Sequence, residues 1–462
     1  MIEIKDLTLR FGSLEVFKGL NLEIEKGEHL GVCGRNGRGK TSLLYLLKGI
    51  IPNLFSAEIL GKVQVMGRSP GDGIIGQVGI MIDEFEEQVT GSTVEYEIAF
   101  PLENLRLPRD EIRKRIDYWL SFFGLDRKKD QDPWTLSGGE LQRLVLATVL
   151  ATGAEIILLD EPTSNLDFEG RRELRDLLNE LNKTAIVADH DPMVLCSFDR
   201  VLHLGPEPEI VTQAEFKAGL EDLRPLSGPG SFPEYRPSRE AIIQVRDLKK
   251  LKGSFQLTVD ELKIGNGELV AIAGRNGAGK TTLARLLAGI DRPDQGKVEV
   301  RGSEVGSYSG RDRARIVSYL YQNPDHQLFA SRVIDEVLFG VKNLGLDEGF
   351  AKIGLETVGL SEKKDLDPFL LPKGDRQLVA LASTLALRPE IIIFDEPTTG
   401  LDYPGIIRIM GLIKLLNDRG HTIIIITHAL WIIEHYIPRV IWMESGRIVD
   451  DLSTREFMKR YA

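Results

Sequence analysis

Apolar positions along this chain follow two rhythms. Short continuous runs at residues 30–33, 156–159 and 185–188, and again at 269–273, 391–394 and 423–426, end in polar or glycine residues, the pattern of strands buried on both faces. Residues 43–47 and 283–288 carry helix-like apolar stretches directly after glycine-rich segments, so each forms a strand, loop, helix unit. Earlier residues alternate instead, as in Ile2-Glu3-Ile4 and Leu22-Glu23-Ile24, which predicts half-buried strands of an antiparallel layer. Residues 93–133 read as helical. The expected class is α/β, a mostly parallel sheet flanked by helices.

The plan is written twice. Gly34-Arg35-Asn36-Gly37-Arg38-Gly39-Lys40-Thr41-Ser42 returns 240 residues later as Gly274-Arg275-Asn276-Gly277-Ala278-Gly279-Lys280-Thr281-Thr282. Asp160-Glu161-Pro162-Thr163 returns 235 residues later as Asp395-Glu396-Pro397-Thr398, and His190 pairs with His428 at 238. Between the halves, Pro225, Pro229, Pro233 and Pro237 with Gly228 and Gly230 predict an extended linker. The expected domains are 1–223 and 240–462, joined by 224–239.

Composition narrows the function. A chain of 462 residues with 42% hydrophobic and 27% charged residues has the balance of a globular protein with sizeable cores. Its formal charge of −11, from 58 basic and 69 acidic residues, argues against broad attraction to phosphate backbones, so no nucleic-acid partner is expected. Two isolated cysteines, Cys33 and Cys196, exclude a disulfide scaffold or a metal cluster and suit a reducing cytosol. No apolar run approaches the roughly 18 residues of a membrane span, and the acidic start Met1-Ile2-Glu3-Ile4-Lys5-Asp6 does not read as a signal peptide.

The glycine-rich segments match a phosphate-binding loop, in which small residues let consecutive N–H groups wrap an anion at a helix start. Lys40 and Lys280 would reach the β and γ phosphates of ATP, and Thr41 and Thr281 would offer a hydroxyl to Mg2+. Asp160 and Asp395 end apolar strands and so deliver a carboxylate to the sheet rim, where it can hold the magnesium shell. Glu161 and Glu396 follow directly, placed to polarise an attacking water. His190 and His428 also follow apolar strands, placed to bond the γ phosphate or orient that water.

A further motif, Leu136-Ser137-Gly138-Gly139-Glu140-Leu141-Gln142-Arg143, sets a hydroxyl and free N–H groups at a helix start. With the other motifs it resembles the signature of the ATP-binding cassette (ABC) family, once per half and over essentially the whole chain. The resemblance implies two tandem P-loop NTPase domains, each with a mostly parallel core, an antiparallel β subdomain and a helical subdomain. It implies head-to-tail pairing, each ATP lying between the phosphate loop of one half and the signature of the other, with Ser137, Gly138 and Gly139 as ligands. Gln322 fits the family's magnesium- and water-sensing glutamine, and Phe11 is the expected adenine platform.

The halves depart from the family pattern unequally. In the second, Leu371-Pro372-Lys373-Gly374 replaces the signature, and proline has neither hydroxyl nor N–H to offer. In the first, Asp83 stands where the second has Gln322. Head-to-tail pairing would gather both departures in the site of Lys40, Asp160, Glu161 and His190. The other site, with Lys280, Gln322, Asp395, Glu396, His428 and Ser137, fits the pattern throughout and is expected to be the more active.

The run Tyr321-Gln322-Asn323-Pro324-Asp325-His326-Gln327-Leu328-Phe329 resembles the loop of energy-coupling factor transporter ATPases. That resemblance implies uptake of vitamins or of cobalt and nickel ions, with a transmembrane coupling subunit and a small membrane substrate-binding subunit as partners. The chain is then expected at the cytoplasmic face of the membrane, peripherally bound. A fused sugar-importer ATPase and a soluble ribosome factor are the alternatives. Cassette proteins of the ribosome resemble chains with a long charged helical linker or an amino-terminal cysteine cluster, and neither is written here.

Overall fold

The structure is a computed structural model describing residues 1–461 except 71, 73–75, 165, 206, 223–232, 236–239 and 254, so the expected linker lies outside the described residues apart from 233–235. Two compact units result, Met1–Asp222 and Leu223–Ala462. Both are of α/β class.

In the first unit the alternating strands Ile2–Phe11, Leu14–Ile24 and Glu58–Val65 form an antiparallel sheet with Ile2–Phe11 at its centre. Ile4 sits opposite both Leu22 and Val63, so alternation collects the apolar side chains on one face. That face packs on the main sheet, whose order is Val78–Met81, Ile156–Asp160, Thr184–Ala188, His29–Gly34, Arg200–Leu204, Glu209–Thr212. The first five strands are parallel and the last is antiparallel. All five residues of Ile156–Asp160 and of Thr184–Ala188 are buried, as expected for a sheet covered on both faces. The helix Lys40–Lys48 contributes Leu43, Leu44, Leu46 and Leu47 to one cover. A helical subdomain of Val94–Asn104, Arg109–Phe122 and Gly138–Ala151 packs through Ile98, Leu102, Ile116, Leu120 and Leu144.

The second unit repeats the plan with one change. Its strands form a single ten-stranded sheet, because the return strand Arg447–Ser453 lies beside the antiparallel layer, Thr258 facing Arg447. The counterpart in the first unit, Glu209–Thr212, is four residues long, and there the antiparallel layer is a separate three-stranded sheet. Among the described residues no helix is long and apolar enough to cross a membrane.

Candidate active sites

Each glycine-rich loop leaves its strand through backbone that only glycine adopts readily. Gly34, Gly37 and Gly39 have φ of 149°, 78° and 91°, and Gly274, Gly277 and Gly279 have 151°, 76° and 94°. Close packing reinforces the choice: a Cβ at Gly39 would come 2.7 Å from the Phe17 ring, and one at Gly279 would come 2.7 Å from the Phe255 ring. The helices start at Lys40 and Lys280 without a side-chain cap, so their first-turn N–H groups face the loop as an anion cradle. Both lysines are 6% exposed. Lys40 Nζ donates to Gly34 O at 3.2 Å and to Asn36 Oδ1 at 3.1 Å, and Lys280 Nζ donates to the Gly274 and Arg275 carbonyls at 2.9 Å. A buried ammonium held over a ring of N–H donors fits a polyphosphate.

At the rim of each main sheet, a hydroxyl meets a carboxylate. Thr41 Oγ1 donates to Asp160 Oδ2 at 2.6 Å and Thr281 Oγ1 to Asp395 Oδ1 at 3.3 Å. Burial pushes the Asp160 carboxyl up to about 6, opposed by the Thr41 hydrogen bond. Burial also raises Asp395, which accepts from the Tyr319 hydroxyl at 2.5 Å. These paired hard oxygens fit the magnesium ion that accompanies ATP, whose charge would neutralise phosphate and favour the ionised carboxylate.

The next residue in each unit is strained. Glu161 and Glu396 have φ of 47° and 48°, a left-handed conformation held by their N–H groups donating to Ala188 O at 2.8 Å and Ile426 O at 3.0 Å. Strain at the same place in both copies marks positions where the side chain's direction matters more than backbone comfort. Here the units diverge. Glu396 is gripped from three directions: His428 Nε2 lies 2.7 Å from Oε1, while Gln322 Nε2 and Thr399 Oγ1 donate to Oε2 at 3.0 and 3.2 Å. Around Glu161, His190 Nε2 lies 3.3 Å from Oε1 and 3.1 Å from Asn36 Oδ1. Asp83 occupies the Gln322 position, and an ionised carboxylate has no hydrogen to donate.

The two signature positions also differ. Ser137 caps the helix Gly138–Ala151 through a reciprocal box, its N–H and Oγ bonded to Glu140 Oε2 at 3.1 and 3.0 Å, and Lys128 holds Glu140 at 2.7 Å. Pro372 stands at the same point before Lys373–Leu385 and supplies no cap. Phe11 is half-buried at the end of its strand against the first unit's core.

Residues to which the sequence reading gave no role in the site hold these loops in place. Gln88 bonds Ile82 N at 2.8 Å and Ile80 O at 3.1 Å, tying back the segment that bears Asp83. Gln327 Oε1 accepts from Tyr321 N at 3.4 Å in the second unit. Buried Glu97 and Glu336 each accept two loop N–H groups, from Thr90 and Gly91 and from Phe329 and Ala330. Their repeated spacing after the loop was the available signal. Under His190 alone lies an acidic network: Asp189 accepts from Thr163, His190 and Asp191, and Asp191 pairs with Arg171. Burial pushes Asp189 up to about 6.

The family model for ABC transporters matches residues 17–164 and 257–399, spanning both cradles and both strained glutamates. The chain belongs to the ABC transporter family. A protein of Methanosarcina mazei, provisionally named an ABC transporter ATP-binding protein, is 37% identical over 98% of this chain and 95% of its own length. Another so named, from Caldanaerobacter subterraneus subsp. tengcongensis, is 34% identical over 97% and 90%. Among solved structures, an archaeal ribosome recycling factor (aABCE1) in complex with the ribosomal stalk protein aP1 matches with a TM-score of 0.73 at 24% identity, covering 99% of this chain and 92% of that one. An RNase-L inhibitor structure matches at 0.72 with the same identity and coverage. At that identity the likeness carries the cassette fold to this chain.

The membrane partners expected from the sequence are corrected here. Two solved structures that match across both cassettes are of an ABCE1 with the ribosomal stalk protein and of ABCE1 with Pelota at the ribosome, partners other than the expected transmembrane coupling subunit and small membrane substrate-binding subunit. The physical reason lies in the run that suggested those partners. Its Gln327 is engaged inside its own cassette, and Glu336 just beyond braces the same loop, so the loop's own architecture accounts for both residues.

Proposed function

We propose that the chain is an ATP-hydrolysing motor with unequal sites. Hydrolysis is concentrated where Lys280, Gln322, Asp395, Glu396 and His428 meet the Ser137 signature in head-to-tail pairing. The site of Lys40, Asp83, Asp160, Glu161 and His190, completed by Pro372, binds ATP and turns it over slowly. One observation carries this reading: Glu396 is oriented by three partners, His428, Gln322 and Thr399. A carboxylate so fixed is preorganised to polarise a water. Phosphate release by the full chain tests it. Glu396→Gln should remove most of the activity, and Glu161→Gln should leave more than half; equal losses would overturn the asymmetry.

For the work that hydrolysis drives, fold likeness across both cassettes supports a soluble role at the ribosome ahead of import. With Cys33 and Cys196 as the cysteines of this sequence, such a role would proceed without a cysteine cluster. Energy coupling to solute uptake is the second reading, supported by relatives 34–37% identical whose names assign them to transport. The tagged Glu396→Gln chain, held with ATP and sedimented from lysate, separates the two. Comigration with ribosomal particles supports the first, and recovery with membranes overturns it in favour of the second.

A further inference from the structure

In the first cassette one buried side chain ties the turn that bears His190 to the segment that follows Glu161. Asp189 is 2% exposed. Its Oδ1 accepts from Thr163 Oγ1 at 2.8 Å, from His190 N at 2.7 Å and from Asp191 N at 2.8 Å, and its Oδ2 accepts from Thr163 N at 3.2 Å. Thr163 lies just beyond Glu161 and Pro162 on the chain. A carboxylate that takes donors from two separate segments fixes both, because releasing either leaves buried polar groups unbonded.

A second link runs alongside. Arg171, on Phe168–Glu180, donates from Nη1 to Asp191 Oδ2 and from Nε to Leu166 O at 3.0 Å. Its guanidinium therefore joins the residue after His190 to the same segment that Asp189 holds through Thr163. The second cassette builds this place from other groups. Thr427 stands at the position of Asp189, and its Oγ1 accepts from Ala429 N at 3.1 Å. Ile406 and Ala429 stand at the positions of Arg171 and Asp191, where no ion pair can form.

What these links hold is the ring of His190. Its Nε2 lies 3.1 Å from Asn36 Oδ1 of the glycine-rich loop and 3.3 Å from Glu161 Oε1, and the same Asn36 oxygen accepts from Lys40 Nζ at 3.1 Å. The imidazole thus stands at the mouth of the anion cradle, beside its ammonium and the strained glutamate. We propose that Asp189 is a positioning residue that preorganises His190 for the terminal phosphate of ATP, so that the first site retains ATP selectively over ADP. This rests on the reading of the first site as one that binds ATP and turns it over slowly. A ring already ordered meets that phosphate without the entropy loss of ordering it, which slows release. ADP brings no phosphate to the ring, so its release does not depend on how the ring is held.

Stopped-flow release of a fluorescent, non-hydrolysable ATP analogue and of the matching ADP analogue tests the proposal. The full Lys280→Ala chain is used, since its second cradle lacks the ammonium and bound nucleotide then reports the first site. Asp189→Thr, which copies the second cassette, should speed ATP release by about tenfold and leave ADP release unchanged. Asp189→Asn keeps the oxygen that three of the donors share and should restore most of the retention. Arg171→Ile with Asp191→Ala removes both partners of the ion pair together and should speed ATP release by about threefold, again sparing ADP. The thermal midpoint of each variant reports its folding. Equal acceleration of both nucleotides marks a merely structural role and overturns the proposal. So does unchanged ATP release from both Asp189→Thr and the double variant. A Lys280→Ala chain that binds neither nucleotide overturns the reading of the first site itself, and the proposal with it.

Discussion

The two cassettes share their backbone down to unusual details and differ in the groups that backbone presents. Left-handed φ recurs at Asp6 and Asp247, at Met66 and Arg301, and at Glu161 and Glu396. Yet Glu396 faces an amide donor where Glu161 has Asp83 in the matching place, and Ser137 is answered by Pro372. Beneath the matching histidines, a buried Asp189 with its ion-paired neighbour Asp191 is replaced by Thr427 and Ala429. Duplication preserves geometry because each strained position is held by many contacts at once. Hydrogen-bond donors change one at a time, so the chemistry can part while the fold does not.

The comparison breaks most readily at the histidines. His428→Ala should lower phosphate release on the order of 10²-fold by freeing one side of Glu396, whereas His190→Ala should leave more than half of the rate. If the two variants lose equally, the cassettes are catalytic equals. Exchanging the loop residues sharpens the same point. Gln322→Asp should slow turnover by about tenfold, as a charge-assisted hydrogen bond of about 1.5 kcal/mol is lost and a like charge is set near Glu396. Asp83→Gln combined with Pro372→Ser and Lys373→Gly should raise the residual rate of a Glu396→Gln chain; no gain would mean these positions do not limit the first site.

Other substitutions should treat the cassettes alike. Glu97→Ala and Glu336→Ala each strip two loop N–H groups of an acceptor, about 1 kcal/mol of local stability. Amide exchange at Gly91 and Ala330 should speed up comparably. A smaller effect belongs to the first cassette alone. The Asp189 carboxyl is raised from its ordinary 3.8 to about 6, so between those pH values the folded state holds more protons than the unfolded one. Its contribution to stability is therefore present at low pH and lost as pH rises through that window. Asp189→Asn should flatten the slope of the first cassette's thermal midpoint between pH 4 and 6 and leave the second cassette's unchanged.

What sequence alone determined was local. Glycines at 34, 37, 39, 274, 277 and 279 encode loops that turn through left-handed backbone, and the run of apolar residues before Asp160 and Asp395 encodes strands that end with a carboxylate at the rim. Covalent geometry and the period of side chains act over a few residues, which is why spacing exposes them. Tertiary structure decided everything that joins distant segments. Glu396 gains His428 and Gln322 from two distant stretches of chain, Gln142 reaches Pro162, and a longer return strand merges ten strands into one sheet where the first unit keeps two. The resemblance to importer ATPases shows the same boundary from the other side, since the run that suggested membrane partners is braced within its own cassette. Contacts between segments depend on the burial and direction of both partners, and no local pattern of residues carries that information.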